Sequence, residues 1–437
     1  MPLSVRSRLF LMMVLEFFIW GAWYPLIFGY LPSLGFSAAE QSWILSAFPV
    51  AAIVGMFFGN QFADRTFAAE RFLSASHLVG GIAMLMLAST RQFWPFFAAM
   101  IVHCLFYVPT ISITNSIAFA HMKDRLKEFG FVRMGGTLGW ILAAWPMTFI
   151  LVDWTKVNAT PTDGFVSWAG VVLASGLTGP ALQAGTKATF IVAGVASLLL
   201  SAVSLSLPHT PPRPAAAGAT RFAWLEALSL LAAPFILVLW LVTFVDSTVH
   251  NLYFNWTATF LGTDVAANGV GIPGNWIMPV MSIGQVAEIL TMLVLGAALK
   301  KLGWRTTMIA GILGHAARFA VFAFLPQNKE IVILINLLHG IAYAFFFATV
   351  YIFVDEYFPS DVRASAQGLF NLMILGFGPL VANVLGPKFI GDTFNHGGVV
   401  DFRNMFLVPL TAAVLAAVVL TLFFHPPPRQ PSSVALT

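Results

Sequence analysis

The chain has 437 residues, of which 59% are hydrophobic and 9% charged, with 42 Phe, 13 Trp and a formal net charge of +4. An ordinary soluble domain is roughly one-quarter charged and needs a mainly polar surface, which this composition cannot supply. The positive excess needs no nucleic-acid partner, since basic loops facing anionic lipid account for it, and the single cysteine, Cys104, excludes an intramolecular disulfide framework.

About 20 apolar helical residues cross about 30 Å of hydrocarbon. Twelve candidate spans follow, at roughly 9–31, 41–62, 72–90, 94–118, 131–152, 187–207, 227–256, 274–298, 306–325, 331–354, 364–386 and 405–425. Open sheet edges cannot sit in lipid, so an all-α polytopic membrane protein is expected. Arg6 and Arg8 ahead of the first span imitate a signal peptide, but its length and the eleven later spans favour a retained helix. Glu16 lies inside that span between Leu15 and Phe17, where it is expected to pair across the bundle or join a polar path. Trp20, Trp23 and Tyr24, with Phe106 and Tyr107 in span four, read as packing residues, with a cavity wall as the alternative.

The turn after span two, Gly59 to Arg65, and the turn after span eight, Gly296 to Arg305, both combine glycine with basic residues. Asp64 and Arg65 stand as a gating latch or simply as a polar inner loop. Residues 153–186 form a long outer segment whose apolar part, Phe165 to Leu177, is too short to span and is expected to be an interfacial or packed insertion. The Asn158-Ala159-Thr160 triplet is formally a glycosylation acceptor, a weak match. Residues 208–226 are a proline-rich connector, dividing the chain into six-helix bundles over 1–207 and 227–437 that could rock about a central substrate. With both termini inside, fifteen Lys and Arg fall in inner segments and six in outer ones, leaving Arg318 within a span. That bias predicts a multi-pass cell inner membrane protein with both termini cytoplasmic.

Polar groups inside the spans form the candidate site. Arg133 opens span five ahead of Gly135, Gly136 and Gly139, and its guanidinium fork could hold ligand oxygens or merely snorkel. Asp246, His250 and Asn251 interrupt the apolarity of span seven. Gln285 and Glu288 share one face of span eight; Glu288 is the first candidate for proton binding, against a permanently paired carboxylate. Arg318, one turn after His315, reads chiefly as a structural ion-pairing residue of the second half. His339 and Tyr343 offer hydrogen bonding and stacking to a heterocycle. No set of residues has metal-ligand spacing, and no cofactor is expected.

Several segments resemble the proton-coupled nucleoside symporters of the major facilitator superfamily. They are Leu15 to Trp23, Arg133 to Gly139, Ser282 to Glu288, Ala316 to Ala320, and Phe353 to Glu356 continuing through Arg363 to Gly368. They occur in order across nearly the whole chain. The resemblance implies the twelve-helix fold of two six-helix bundles. It also implies that Arg133 and Thr137 face substrate from helix five, and that Gln285 and Glu288 serve nucleoside recognition and proton coupling. Asn251 falls nearest one family amide position, while Phe254 occupies another. Where the family has Tyr, then Phe followed by Asp four residues on, this chain has His339, Tyr343 and Ala344. Three readings therefore stay open: Glu288 couples alone, Asp246 compensates for the missing acid, or the protein is a facilitator or takes an altered substrate.

The expected activity is nucleoside import with protons by alternating access, performed by a single copy in the lipid bilayer. A sugar or nucleobase carrier on the same fold and a non-transporting membrane sensor are the alternatives. An enzyme is disfavoured because no nucleophile and base or metal cluster stands out.

Overall fold

The computed structural model describes residues 3–56, 67–122, 125–212, 228–358 and 363–426. Asp64, Arg65 and positions 213–226 of the connector lie outside the described residues. The apolar stretches fold as α1 (Leu3–Ser33), α2 (Ala38–Val54), α3 (Ala69–Ser89), α4 (Phe93–Ala120), α5 (Arg125–Ala144), α6 (Lys187–Ser204) and α7 (Pro234–Gly262). The run Gly274–Phe324 is broken at Gly303 into α8 (274–302) and α9 (304–324), and α10 (Lys329–Tyr357), α11 (Ala366–Thr393) and α12 (Phe402–Phe423) follow. Gly303 adopts φ 74°, a left-handed conformation that glycine enters without a Cβ penalty.

Among the described residues nine helical runs are long and apolar enough to cross a membrane, counting Gly274–Phe324 once. The α2 helix, at 17 residues, is shorter, and α5 begins with Arg125, Lys127 and Glu128 and continues through Arg133. The protein is thus an all-α polytopic membrane protein. Among the described residues the one sheet is a hairpin pairing Asn395–His396 with Val399–Val400 around the left-handed Gly397 and Gly398.

Two helices differ from their expected bounds for local reasons. The α5 helix stops at Ala144 ahead of Pro146, which lacks the amide hydrogen needed to continue the ladder, and a single turn, Met147–Ile150, follows. The α7 helix starts at Pro234, where proline suits the first turn, and runs unbroken past Asp246, His250 and Asn251 to Gly262. Those polar groups do not interrupt it because Asp246 and Asn251 are buried against other helices.

Within the first half α1 packs on α5 and α6, and α3 on α4 and α6; within the second, α8 and α9 pack on α10 and α12, and α7 on α11 and α12. Between the halves α1 meets α7, α2 meets α11, and α5 meets α8. Glycine sets the closest approaches. A Cβ at Gly139 would strike the Val14 backbone, and one at Gly340 would strike the Gly284 carbonyl and the Glu288 amide.

Residues 153–186 form three short helices, Trp154–Ala159, Phe165–Ala174 and Gly179–Gly185. This segment reaches across to the start of α8. The Leu173 carbonyl accepts from Trp276 Nε1 at 2.8 Å and Asn275 Nδ2 at 3.2 Å, and the Leu177 carbonyl accepts from Gly274 N at 2.8 Å. Elsewhere, Asn383 Nδ2 of α11 donates to the Leu45 carbonyl of α2 at 2.9 Å. Gly176 leaves no room for a side chain against Asn275. Gly176→Ala is therefore expected to cost about 1–3 kcal/mol through overpacking, measured as a lower melting temperature of the purified protein in detergent.

Candidate functional site

The α5 and α8 helices pack against one another, and they carry Arg133 and Glu288, the charges named from sequence. The small residues after Arg133 let α5 lie close to α1, and the guanidinium rests over the Phe17 ring, 4.4 Å from its centroid. Glu288 of α8 and Tyr343 of α10 lie within electrostatic range of that charge, beyond ion-pair or hydrogen-bond contact with it. Thr137 lies one turn beyond Arg133 on the same helix, half-buried. Gln285, one turn before Glu288, is buried, and its Oε1 has no hydrogen-bond partner among the described residues.

Gln285 lines a small cavity with Gly21 and Pro25 of α1, Trp140 and Ala144 of α5, and Phe254 of α7. Aromatic rings surround it: Trp140 packs edge-on to Trp20 at 5.2 Å and to Phe254 at 6.0 Å, while Tyr24 lies 5.4 Å from Phe254. Tyr24 donates to Asn251 Oδ1 at 3.3 Å, joining α1 to α7. The Trp20 indole N–H is buried without a partner among the described residues. The cavity measures about 10 Å³, room for about one water, and presents the unpaired Gln285 carbonyl oxygen among flat apolar faces. Trp140 was not among the sequence candidates; an aromatic in an apolar helix carries no mark of facing a cavity.

His339 is placed differently from the rest. Its Nδ1 accepts from Arg318 at 2.7 Å, and its ring packs edge-on to Phe254 at 5.4 Å, so it stands between the cavity wall and a second polar cluster. Arg318 is fully buried, donates to His315 Nδ1 at 3.2 Å, and lies 3.9 Å from the centre of the Tyr253 ring. Asp246 is fully buried with His315 Nε2 3.7 Å away, and the His250 ring stacks on His339 at 4.8 Å.

Glu16 belongs to neither group. Its Oε1 accepts from Thr110 at 2.7 Å, its Oε2 lies 2.9 Å from His77 Nε2, and the far side of His77 meets Ser197 Oγ at 3.0 Å. Tyr107 donates to the Glu16 carbonyl at 2.7 Å. The acid therefore ties α1, α3, α4 and α6 together inside the first half. Sequence reading missed His77, Thr110 and Ser197; each is a lone polar residue in an apolar helix, the weakest kind of signal. Among the described residues no group of three His, Cys, Asp or Glu could hold a metal ion.

Against known proteins, the chain matches the family model described as nucleoside H+ symporter over residues 3–175 and 153–429. The chain belongs to that family. It is 29% identical to the putative nucleoside transporter YegT of Escherichia coli K12, over 96% of this chain and 93% of the relative. It is 27% identical to the xanthosine permease of the same organism, over 95% of each. Its fold superposes on the crystal structure of the nucleoside transporter NupG with a TM-score of 0.78 at 22% identity, covering 97% of this chain and all of that one. The fold is that of the major facilitator superfamily. Membership makes the protein a secondary active transporter of the inner membrane that moves nucleoside with protons by alternating access, and not an enzyme.

The network around Glu16 separates a supporting role from a transport role. Glu16→Ala leaves His77 and Thr110 without their acceptor and is expected to cost about 3–5 kcal/mol, read as a large drop in melting temperature. Glu16→Gln, which keeps an acceptor for Thr110, is expected to recover part of that loss.

Proposed function

We propose that nucleoside binds between Arg133 and Thr137 of the first half and Asn251, Gln285, His339 and Tyr343 of the second, with Glu288 carrying the driving proton. Twelve helices in two six-helix bundles, joined by residues 208–226 and with both termini in the cytoplasm, would frame this site. The observation that carries the reading is the cavity that α1, α5, α7 and α8 enclose, where Gln285 faces Trp140 and Phe254, with Arg133 and Glu288 within electrostatic range of each other. Gln285, unpartnered at the same level, supports it.

The chemistry follows from charge balance. In the empty carrier the Glu288 carboxylate and the Arg133 guanidinium balance one another. A proton arriving from outside neutralises Glu288 and releases the Arg133 donors, which then serve the ribose hydroxyls or base oxygens of the nucleoside. Flat aromatic faces at Trp140 and Phe254 pack on the base. The hydrogen bonds from Asn275, Trp276 and Gly274 to the outer insertion, and from Asn383 to Leu45, lie at the outer end and close it. Opening toward the cytoplasm dilutes the nucleoside and lets the proton leave, whereupon Glu288 and Arg133 balance again and the carrier resets.

Proteoliposomes with an imposed inward proton gradient test this directly. Glu288→Gln is expected to reduce uridine accumulation about tenfold for each pH unit of gradient, the worth of one proton, while counterflow continues. Undiminished accumulation by this variant would overturn the assignment. Arg133→Ala is expected to raise the half-saturation concentration about 10- to 100-fold, because a charged hydrogen-bonding group contributes about 1.5–3 kcal/mol.

A further inference from the structure

We propose that Asp246, with His315, forms a second proton-binding site distinct from Glu288, and that Arg318 is the positioning residue that links it to the nucleoside cavity. This rests on the symport reading above and adds a second coupling ion to it. Asp246 comes from α7, His315 and Arg318 from α9, and His339 from α10, so the cluster draws on α7, α9 and α10, whereas Arg133 lies on α5 and Glu288 on α8.

Hydrogen-bond accounting shows what the cluster can do. A guanidinium has donors and no acceptor. Arg318 points one amino group at His339 Nδ1 and the other at His315 Nδ1, at 2.7 and 3.2 Å, so both Nδ1 atoms must accept. Each neutral imidazole then carries its hydrogen on Nε2. In His315 that N–H faces Asp246 Oδ2 across 3.7 Å, too far for a hydrogen bond. Neither carboxyl oxygen of Asp246 has a hydrogen-bond partner among the described residues, although the residue is wholly buried. The acid thus has its full accepting capacity open, in contrast to Glu16, whose oxygens are both engaged.

Two arrangements follow. With Asp246 ionised, the carboxylate draws the His315 N–H into contact and balances the Arg318 charge. With a proton on Oδ2, Asp246 is a neutral acid, the pull on His315 is gone, and the cluster carries the single charge of Arg318, shared with the Tyr253 ring 3.9 Å away. His315 cannot close on Asp246 without loosening its hold on Arg318. Arg318 in turn holds His339, whose Cβ packs where a side chain on Gly284 would sit, beside Gln285. The titratable and charged groups facing Asp246 are His315 and Arg318 on α9, with His250 one turn on along α7, His339 and Tyr343 of α10 against the His250 ring, and Tyr253 beneath Arg318. The α10 helix contributes no acid here; Ala344 is fully buried and opens a π-helical turn, Ala344–Ala348.

The test is the steepness of accumulation against an imposed pH gradient, with membrane potential clamped, using uridine, inosine and xanthosine as probes in proteoliposomes. Two coupled protons give about 100-fold accumulation per pH unit and one gives about tenfold. The wild-type protein is expected to show the steeper dependence. Asp246→Asn and Glu288→Gln are each expected to fall to the shallower one, and the double variant to equilibrate the probe without concentrating it. Arg318→Lys keeps the charge but cannot bridge two imidazoles, and is also expected to show the shallower slope while retaining counterflow. Counterflow establishes that each variant is folded, a readout that a merely structural Asp246 would lose together with the slope. Wild-type accumulation of about tenfold per pH unit, or an unchanged slope in Asp246→Asn, would overturn the second site and leave nucleoside symport standing. No saturable wild-type uptake of any probe would overturn both.

Discussion

Hydrocarbon offers no partner to a charge, so every ionisable side chain placed in these helices must find its counterpart on another helix. That constraint decides much of the architecture. Glu16 draws α3, α4 and α6 around α1 through His77, Thr110 and, by way of His77, Ser197. Arg318 holds α9 to α10 through His339 and to α7 through Tyr253. Packing of the many Phe and Leu side chains fills the space between, but lipid satisfies those residues as well as protein does. The polar contacts are what make one helix neighbour preferable to another.

The two halves treat their buried acids differently. Glu16 has donors on both oxygens and sits in a closed network of hydroxyl and imidazole groups. Asp246 has none, and Glu288 has Arg133 of α5 within electrostatic range but not in ion-pair contact. A fully satisfied acid is a rivet, stable in one arrangement. An acid with open acceptors, or one whose partner lies on a surface that must separate, has more than one arrangement of comparable cost. Glu16 is of the first kind and Asp246, with both oxygens unpartnered among the described residues, is of the second.

What could be read from sequence follows the same division. Helix positions were legible because 18 or more apolar residues in a row have few other uses, and Gln285 with Glu288 was legible because a spacing of three places them on one helical face. Arg133 stood out as a charge beside glycines. Pro146 ended α5 earlier than hydropathy suggested, because hydropathy does not register a missing amide hydrogen. The polar triplet of α7 interrupted the apolar pattern without interrupting the helix. The partners were not legible: nothing in the chain says that Glu16 meets His77, that Arg318 bonds His339 Nδ1, or that Trp140 walls the cavity. These depend on which helices adjoin, and sequence spacing speaks only within one helix.

Gly340 is a small feature with a large mechanical consequence. Its missing side chain lets the α10 backbone lie directly on α8, against the Gly284 carbonyl and the Glu288 amide. Two backbones in such contact cannot slide or spread without losing it, so α8 and α10 form a single stiff jaw carrying Gln285, Glu288, His339 and Tyr343 together. The opposing jaw is α5 with α1, joined just as closely through Gly139 against Val14. Arg133 and Glu288 thus stand on two separately tied helix pairs.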